Sequence, residues 1–313
     1  MNANCPRYAL PVLLMMLVLS FAAIGQGTRS DKQITAAVTA EAKAVRSEDH
    51  ELDSKLMSRA MPYRVLLPPS YANKLDSSRY PVVYLLHGLT GHYSNWSDKT
   101  DLSKFAAAHN FILVMPEGDN GWYTDSAATP NDKYESYIIK ELIPEIDKKF
   151  RTIADRGHRS VAGLSMGGYG ALKFGLKYPE LFSIVGSFSG AFGVAEWTAD
   201  NAGNIGRSID GIFGPAGSDT RQKNDIFKLV GGLSPDKVKS LPFIYLSCGT
   251  EDQLLKLNAE FLRSLFDKKI PHEFRQRPGG HTWTFWNDQA REFLDVAERY
   301  WANGSGQPAS AGK

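Results

Sequence analysis

Six short apolar runs constrain the fold of this chain more than any other feature. Arg64-Val65-Leu66-Leu67 is closed by the pair Pro68-Pro69, and the others fall at residues 82–86, 111–115, 160–163, 184–188 and 243–248. Runs of this length without polar alternation suit strands buried on both faces, as in a parallel sheet. Between them apolar residues recur at helical spacing. Ile138, Ile139, Leu142, Ile143, Ile146 and Phe150 form one such series, with Pro144 marking a kink. Residues 169–177 carry Ala171, Leu172 and Leu176 before Pro179 stops them, and 254–266 and 283–301 supply two more helices. Strand and helix in alternation predict an α/β fold with a doubly wound, mostly parallel sheet.

The rhythm fails between Gly190 and Leu241, a stretch rich in Gly, Asn, Asp and Ser and too long for a plain connection. It reads as an inserted cap or loop region, either covering a site or lying passively on the surface. No repeat or linker divides the rest, so residues 47–302 are expected to form a single domain. Ahead of them, Arg7 is the only charge before a continuous apolar run at 12–19, followed by Ser20, Ala22, Ala23 and Gly25. This pattern predicts a secretory signal peptide over residues 1–25, cut near Gly25 or Gly27, and a secreted or periplasmic protein. The run is short of the roughly 20 apolar residues of a membrane span, and no second one follows, so no integral span is expected in the mature chain. Residues 26–46, and the chain on to about Glu51, read as a leader or loose helix, and 303–313 as a flexible tail.

Charge and cysteine usage narrow the function. Lys and Arg total 36 against 34 Asp and Glu, for a net charge of +2, so the one-sided basic surface that nucleic acid selects is missing. Cys5 falls in the signal, which leaves Cys248 alone in the mature chain, unable to form an internal disulfide and placed as a core filler. The sequence has no H-E-x-x-H and no paired cysteines, hence no expected metal, and no P-loop or dinucleotide fingerprint, hence no expected cofactor.

The chemistry concentrates at Gly163-Leu164-Ser165-Met166-Gly167, a G-x-S-x-G match that directly follows a strand and precedes a helix. In that context the serine sits on a sharp turn that pushes its hydroxyl out of the sheet, next to the N–H groups of the helix start. A serine hydroxyl needs a base, and the base needs an orienting carboxylate. Downstream there are two histidines. His272 lies in an extended stretch suited to a sheet edge, whereas His281 lies in the loop Pro278-Gly279-Gly280-His281 before the last helix. His281 is therefore the expected base. For the acid, Gly249-Thr250-Glu251-Asp252 follows the strand ending at Cys248, where catalytic groups collect in open parallel sheets. Asp252 is preferred to Glu251 for its shorter side chain at the head of a helix, and Asp219 and Asp225 are weaker candidates. The oxyanion of ester cleavage requires two preset N–H donors. Met166 beside the nucleophile and Leu89 in the turn His87-Gly88-Leu89-Thr90-Gly91 are the expected pair, with His87 bracing that turn. Trp122, Tyr123, Trp197 and Trp283, and also Trp96, lie near these loops, either as substrate contacts or as core packing.

Four segments together resemble the putative-esterase family of α/β-hydrolases: Leu85-Leu86-His87-Gly88-Leu89, Gly163-Leu164-Ser165-Met166-Gly167-Gly168, Gly249-Thr250-Glu251-Asp252 and Gly280-His281-Thr282-Trp283. That family includes esterase D, tributyrin, feruloyl and acetyl-xylan esterases, and the antigen 85 mycolyltransferases. The resemblance runs from about residue 47 to 301, taking in Met61-Pro62-Tyr63-Arg64-Val65 and Trp122-Tyr123-Thr124-Asp125. It implies an α/β-hydrolase fold and a triad of Ser165, Asp252 and His281, with Leu89 and Met166 as oxyanion donors. The expected activity is that of a secreted serine carboxylesterase acting through an acyl-enzyme on short-chain acyl or feruloyl/acetyl-type esters, small or carbohydrate-linked. An acyltransferase using the same triad with an alcohol or sugar acceptor is one alternative. A non-catalytic ligand-binding homologue is another.

Overall fold

The computed structural model describes residues 45–303 other than 74 and 76. The expected signal peptide, residues 26–44 of the expected leader and residues 304–313 of the expected tail lie outside the described residues. The leader expectation fails where it can be compared. Arg46-Ser47-Glu48-Asp49-His50-Glu51-Leu52-Asp53-Ser54 forms strand β1 (Arg46–Ser54), paired antiparallel with β2 (Arg59–Leu67) from Arg46 opposite Leu67 to Ser54 opposite Arg59. Such a strand lies at the rim of the sheet, half exposed, and needs no apolar run. Its charges also discourage a further strand from adding there.

The chain continues through β3 (Val82–Leu86), α1 (Asn95–Lys99), α2 (Leu102–Ala108) and β4 (Ile112–Pro116). Helix α3 (Tyr134–Tyr137) runs through a π-turn at Ile138–Leu142 into α4 (Ile143–Lys149). Pro144, which offers no N–H to the preceding turn, sits just after the π-turn that absorbs it. Next come β5 (Arg159–Leu164), α5 (Met166–Lys177) and β6 (Ile184–Phe188).

The following insertion is largely helical, comprising α6 (Ala199–Phe213), α7 (Asp219–Asn224), α8 (Ile226–Gly231) and α9 (Pro235–Ser240). Several of the polar residues that make it look irregular are helix caps. Thr198 forms a capping box with Asn201, Ser218 accepts from the Arg221 N–H, Asp225 from those of Phe227 and Lys228, and Ser234 from that of Lys237. Strand β7 (Phe243–Gly249), α10 (Leu255–Asp267), β8 (His272–Arg277) and α11 (Trp283–Ala302) complete the domain.

The eight strands make one open sheet in the order β1-β2-β4-β3-β5-β6-β7-β8, parallel from β4 to β8. Every residue of β3, β4, β5 and β6 is buried, as the unbroken runs require. Alternate residues of β3 serve opposite faces. Val82, Tyr84 and Leu86 join an apolar core with Tyr169 and Phe174 of α5, while Val83 and Leu85 join another with Trp96, Phe188 and Phe293. β3 lies between β4 and β5, so the connections leaving β3 and β5 pass to opposite sides. A crevice opens at such a reversal, beyond the carboxyl ends of the strands.

Candidate active site

Ser165 occupies that crevice at the end of β5, with φ 53° and ψ −116°, a backbone region that L-residues other than glycine rarely adopt. The chain can turn so sharply because its neighbours are glycines. A Cβ on Gly167 would stand 2.3 Å from the Leu86 carbonyl oxygen, and one on Gly163 would stand 2.5 Å from the Gly167 carbonyl group. The turn is then fixed by its own backbone. The Ser165 N–H donates to Phe188 O at 2.9 Å, and its carbonyl accepts from Tyr169 and Ala191 at 3.0 and 3.1 Å.

Three side chains from distant segments meet here. His281 Nε2 lies 3.0 Å from Ser165 Oγ, and His281 Nδ1 donates to Asp252 Oδ2 at 2.9 Å. With the Nδ1 proton committed to the carboxylate, Nε2 is left as acceptor for the serine hydroxyl. Asp252 is buried, and its other oxygen accepts from the Leu254 N–H at 2.8 Å. Burial alone would raise its pKa, but hydrogen bonds from His281, Ser189 and Leu254 outweigh that, and the carboxyl is held below its ordinary range. The Trp286 indole and the imidazole pack at right angles, with ring centres 4.8 Å apart and planes at 88°. Such an arrangement can deprotonate an alcohol nucleophile and keep the resulting imidazolium in place.

The rival acid has a different task. Glu251 accepts from the Gly279 N–H at 2.6 Å, and its own N–H donates to Gly279 O at 3.0 Å, tying the acid-bearing loop to the histidine-bearing one. Asp225 caps α8, Asp219 stands exposed in α7, and His272 lies on the edge strand β8 with Nδ1 on Ile270 O. Cys248 is buried, and burial pushes its thiol up to about 12, which leaves no thiolate to react.

Leu89 lines the cavity in front of Ser165, and Met166 is the first residue of α5. Among the described residues neither backbone N–H has a hydrogen-bond partner. The turn carrying Leu89 is braced from behind. His87 Nδ1 donates to Gly88 O at 2.8 Å, Tyr123 Oη donates to His87 O at 2.9 Å, and the Thr90 N–H donates to Asn120 Oδ1 at 2.7 Å. Glu117 meets His87 Nε2 at 3.0 Å and accepts from the N–H groups of Asp119 and Tyr93. Burial opposes its ionisation, yet the His87 contact and these N–H groups bring its pKa down to about 2.

The cavity above Ser165 measures about 540 Å³. Trp122, Trp197, Trp283 and Trp286 line it with Leu254 and Ile205, and Asn95, Lys99 and Gln253 add polar groups. Of the aromatic residues singled out from sequence, Trp122, Trp197 and Trp283 face this space. Tyr123 does not: it is fully buried, its hydroxyl spent on His87 O. Trp96 is likewise a core residue, donating to Leu86 O and packing edge-on against Trp283. Trp286 was missed, although it follows Trp283 by one helical turn and so shares its face. The only metal-compatible cluster among the described residues is His92, Glu117 and Asp119, with ligand atoms within 4.8 Å of one another. Its central carboxylate is already committed to His87 and to backbone N–H groups.

Residues 54–293 match the family model described as "Putative esterase". An acetyl esterase of Caldicellulosiruptor saccharolyticus is 30% identical over 244 residues, spanning 75% of this chain and 91% of its own. A solved ferulic acid esterase superposes with a TM-score of 0.71 at 27% identity, over 82% of this chain and 99% of that one. An S-formylglutathione hydrolase of Staphylococcus aureus shares the fold, with a TM-score of 0.70 at 23% identity over 81% of this chain and 98% of that one.

Proposed function

The chain belongs to the putative-esterase family and is a carboxylic-ester hydrolase, and on that footing we propose that Ser165, His281 and Asp252 are its catalytic triad. The continuous path from Ser165 Oγ through His281 to Asp252, with contacts of 3.0 and 2.9 Å, carries the reading. Ser165 Oγ attacks the ester carbonyl while His281 Nε2 takes its proton. Asp252 keeps the imidazolium oriented and neutralised. The N–H groups of Leu89 and Met166 receive the oxyanion, free donors at the turn where charge develops. His281 then returns the proton to the departing alcohol. Water, deprotonated by the same imidazole, attacks the acyl-enzyme, and His281 returns that proton to Ser165 Oγ as the acid leaves.

The substrates in this proposal are short-chain acyl or feruloyl- and acetyl-type esters. An indole-lined cavity of about 540 Å³ suits a small or flat acyl group, and Asn95, Lys99 and Gln253 suit a polar alcohol portion. Export belongs to the same proposal and rests on the sequence at Arg7 and residues 12–25 alone.

The test uses protein beginning at about Gln26, assayed on an acyl-length series together with feruloyl and acetylated-sugar esters. Wild type should turn over some of these and bind a fluorophosphonate probe at Ser165, and Ser165→Ala should do neither. Activity in Ser165→Ala equal to wild type would overturn the assignment. The N-terminal residue of the exported protein, read by mass spectrometry, tests the signal peptide.

A further inference from the structure

Lys173 lies two turns along α5 from Ser165 and is fully buried, a rare state for a lysine. Its ammonium has three hydrogens to donate and meets three acceptors: Tyr123 O at 2.6 Å, Thr124 Oγ1 at 2.7 Å and Glu135 Oε2 at 2.9 Å. Full burial pulls its pKa down to about 8 against the pull of Glu135, which leaves it charged at neutral pH. Glu135 does not depend on Lys173 alone, because Lys177 Nζ and Tyr178 Oη also bind it. A buried ion pair adds little stability over apolar residues of the same size, so stability is a poor reason for a charge here.

What the charge holds is a strained loop. Trp122 and Tyr123 are consecutive non-glycine residues with φ 52° and 51°, in the left-handed region. Lys173 grips the loop at the Tyr123 carbonyl and at the Thr124 hydroxyl, and that hydroxyl in turn donates to Trp122 O at 2.9 Å. Trp122 in turn forms a wall of the cavity, edge-on to Trp197 with ring centres 6.1 Å apart. Its indole N–H is buried and finds no acceptor among the described residues. The tryptophan therefore has no polar anchor of its own, and the backbone behind it sets where it stands.

We propose that Lys173 is a positioning residue, which holds residues 122–124 in their left-handed turn and so sets Trp122 as the wall that selects the acyl group. The inference rests on the proposed function. One helix would then align both the nucleophile, at its start, and the cavity wall, through Lys173.

The test compares p-nitrophenyl acetate with p-nitrophenyl 4-phenylbutyrate, which share a leaving group, in Lys173→Met and Thr124→Val. The second variant removes the relay while leaving the Lys173 ammonium its contacts with Tyr123 O and Glu135 Oε2, and it decides the matter if Lys173→Met does not fold. The ratio of kcat/KM between the esters should shift about tenfold in Lys173→Met and about threefold in Thr124→Val, in folded protein. In a Trp122→Ala background neither should shift it further. An unchanged ratio in the folded single variants, or the same shift without Trp122, overturns the proposal. Amide hydrogen exchange of residues 120–126 provides a readout independent of turnover. It should quicken in both variants while the β5 peptide stays protected, and unchanged exchange also overturns the proposal. Wild type inert on every ester, with quickened exchange in the variants, would refute the proposed function and leave the positioning role standing.

Discussion

The backbone of Ser165 permits a separation of strain from chemistry. Its φ of 53° and ψ of −116° are tolerated without penalty only by glycine, and a side chain held there costs about 1–3 kcal/mol. Ser165→Ala and Ser165→Gly both remove the hydroxyl and its contact with His281, so that loss cancels between them. Glycine relieves the strain but gains freedom in the unfolded chain, worth about 0.5–1 kcal/mol in the opposite sense. The balance leaves Ser165→Gly more stable than Ser165→Ala by about 1 kcal/mol, or about 2–4 °C in Tm for a domain of this size. The assay is thermal unfolding of both inactive variants by circular dichroism at matched concentration. At an ordinary position the order would be reversed. A Ser165→Ala variant as stable as Ser165→Gly, or more so, would refute the claim that the elbow stores strain.

Asp252→Asn should keep the fold, checked by circular dichroism, while kcat falls about 10⁴-fold, because an amide cannot hold His281 in the required tautomer. Glu117 has its folded pKa lowered from 4.5 to about 2. Its contribution to stability is therefore complete above pH 4.5 and is lost as pH falls toward about 2, to a total of about 3 kcal/mol. Urea midpoints at pH 6 and pH 3 should accordingly differ less in Glu117→Gln than in wild type. Gly167→Ala would place a Cβ 2.3 Å from Leu86 O and 2.6 Å from His87 O. Backbone cannot yield as a side chain can, so a loss of at least about 2 kcal/mol and of soluble yield is expected.

The three side chains that meet at the elbow were legible in the sequence because each is announced by its neighbours. Ser165 stands between glycines that only a tight turn needs, Asp252 follows a buried strand, and His281 follows two glycines. The central strands were legible because burial on both faces removes polar alternation. Signals failed where a residue serves two ends. Thr198, Ser218, Asp225 and Ser234 of the insertion read as loop and proved to be helix caps, since the same side chains do both. Charge on β1 hid a strand at the rim. Tyr123 stands beside a cavity residue, and the left-handed turn sends its hydroxyl to His87 O. Lys173 looks like any helical lysine in sequence, and only the packing of the 122–124 loop over α5 shows that it is enclosed.

Ser165 and His281 stand 116 positions apart, whereas Asp252 and His281 stand 29 apart. The loops that bear them meet only after β5, β6 and β7 have paired in parallel, which is a slow, non-local event in folding. During synthesis the serine emerges long before His281, its proposed base, and on that proposal it remains an alcohol of ordinary reactivity until α11 docks. Organophosphorus labelling of Ser165 during refolding should therefore follow the last docking step, later than collapse or secondary structure. A chain that crosses a membrane unfolded, as the proposed export requires, would be chemically silent throughout its passage.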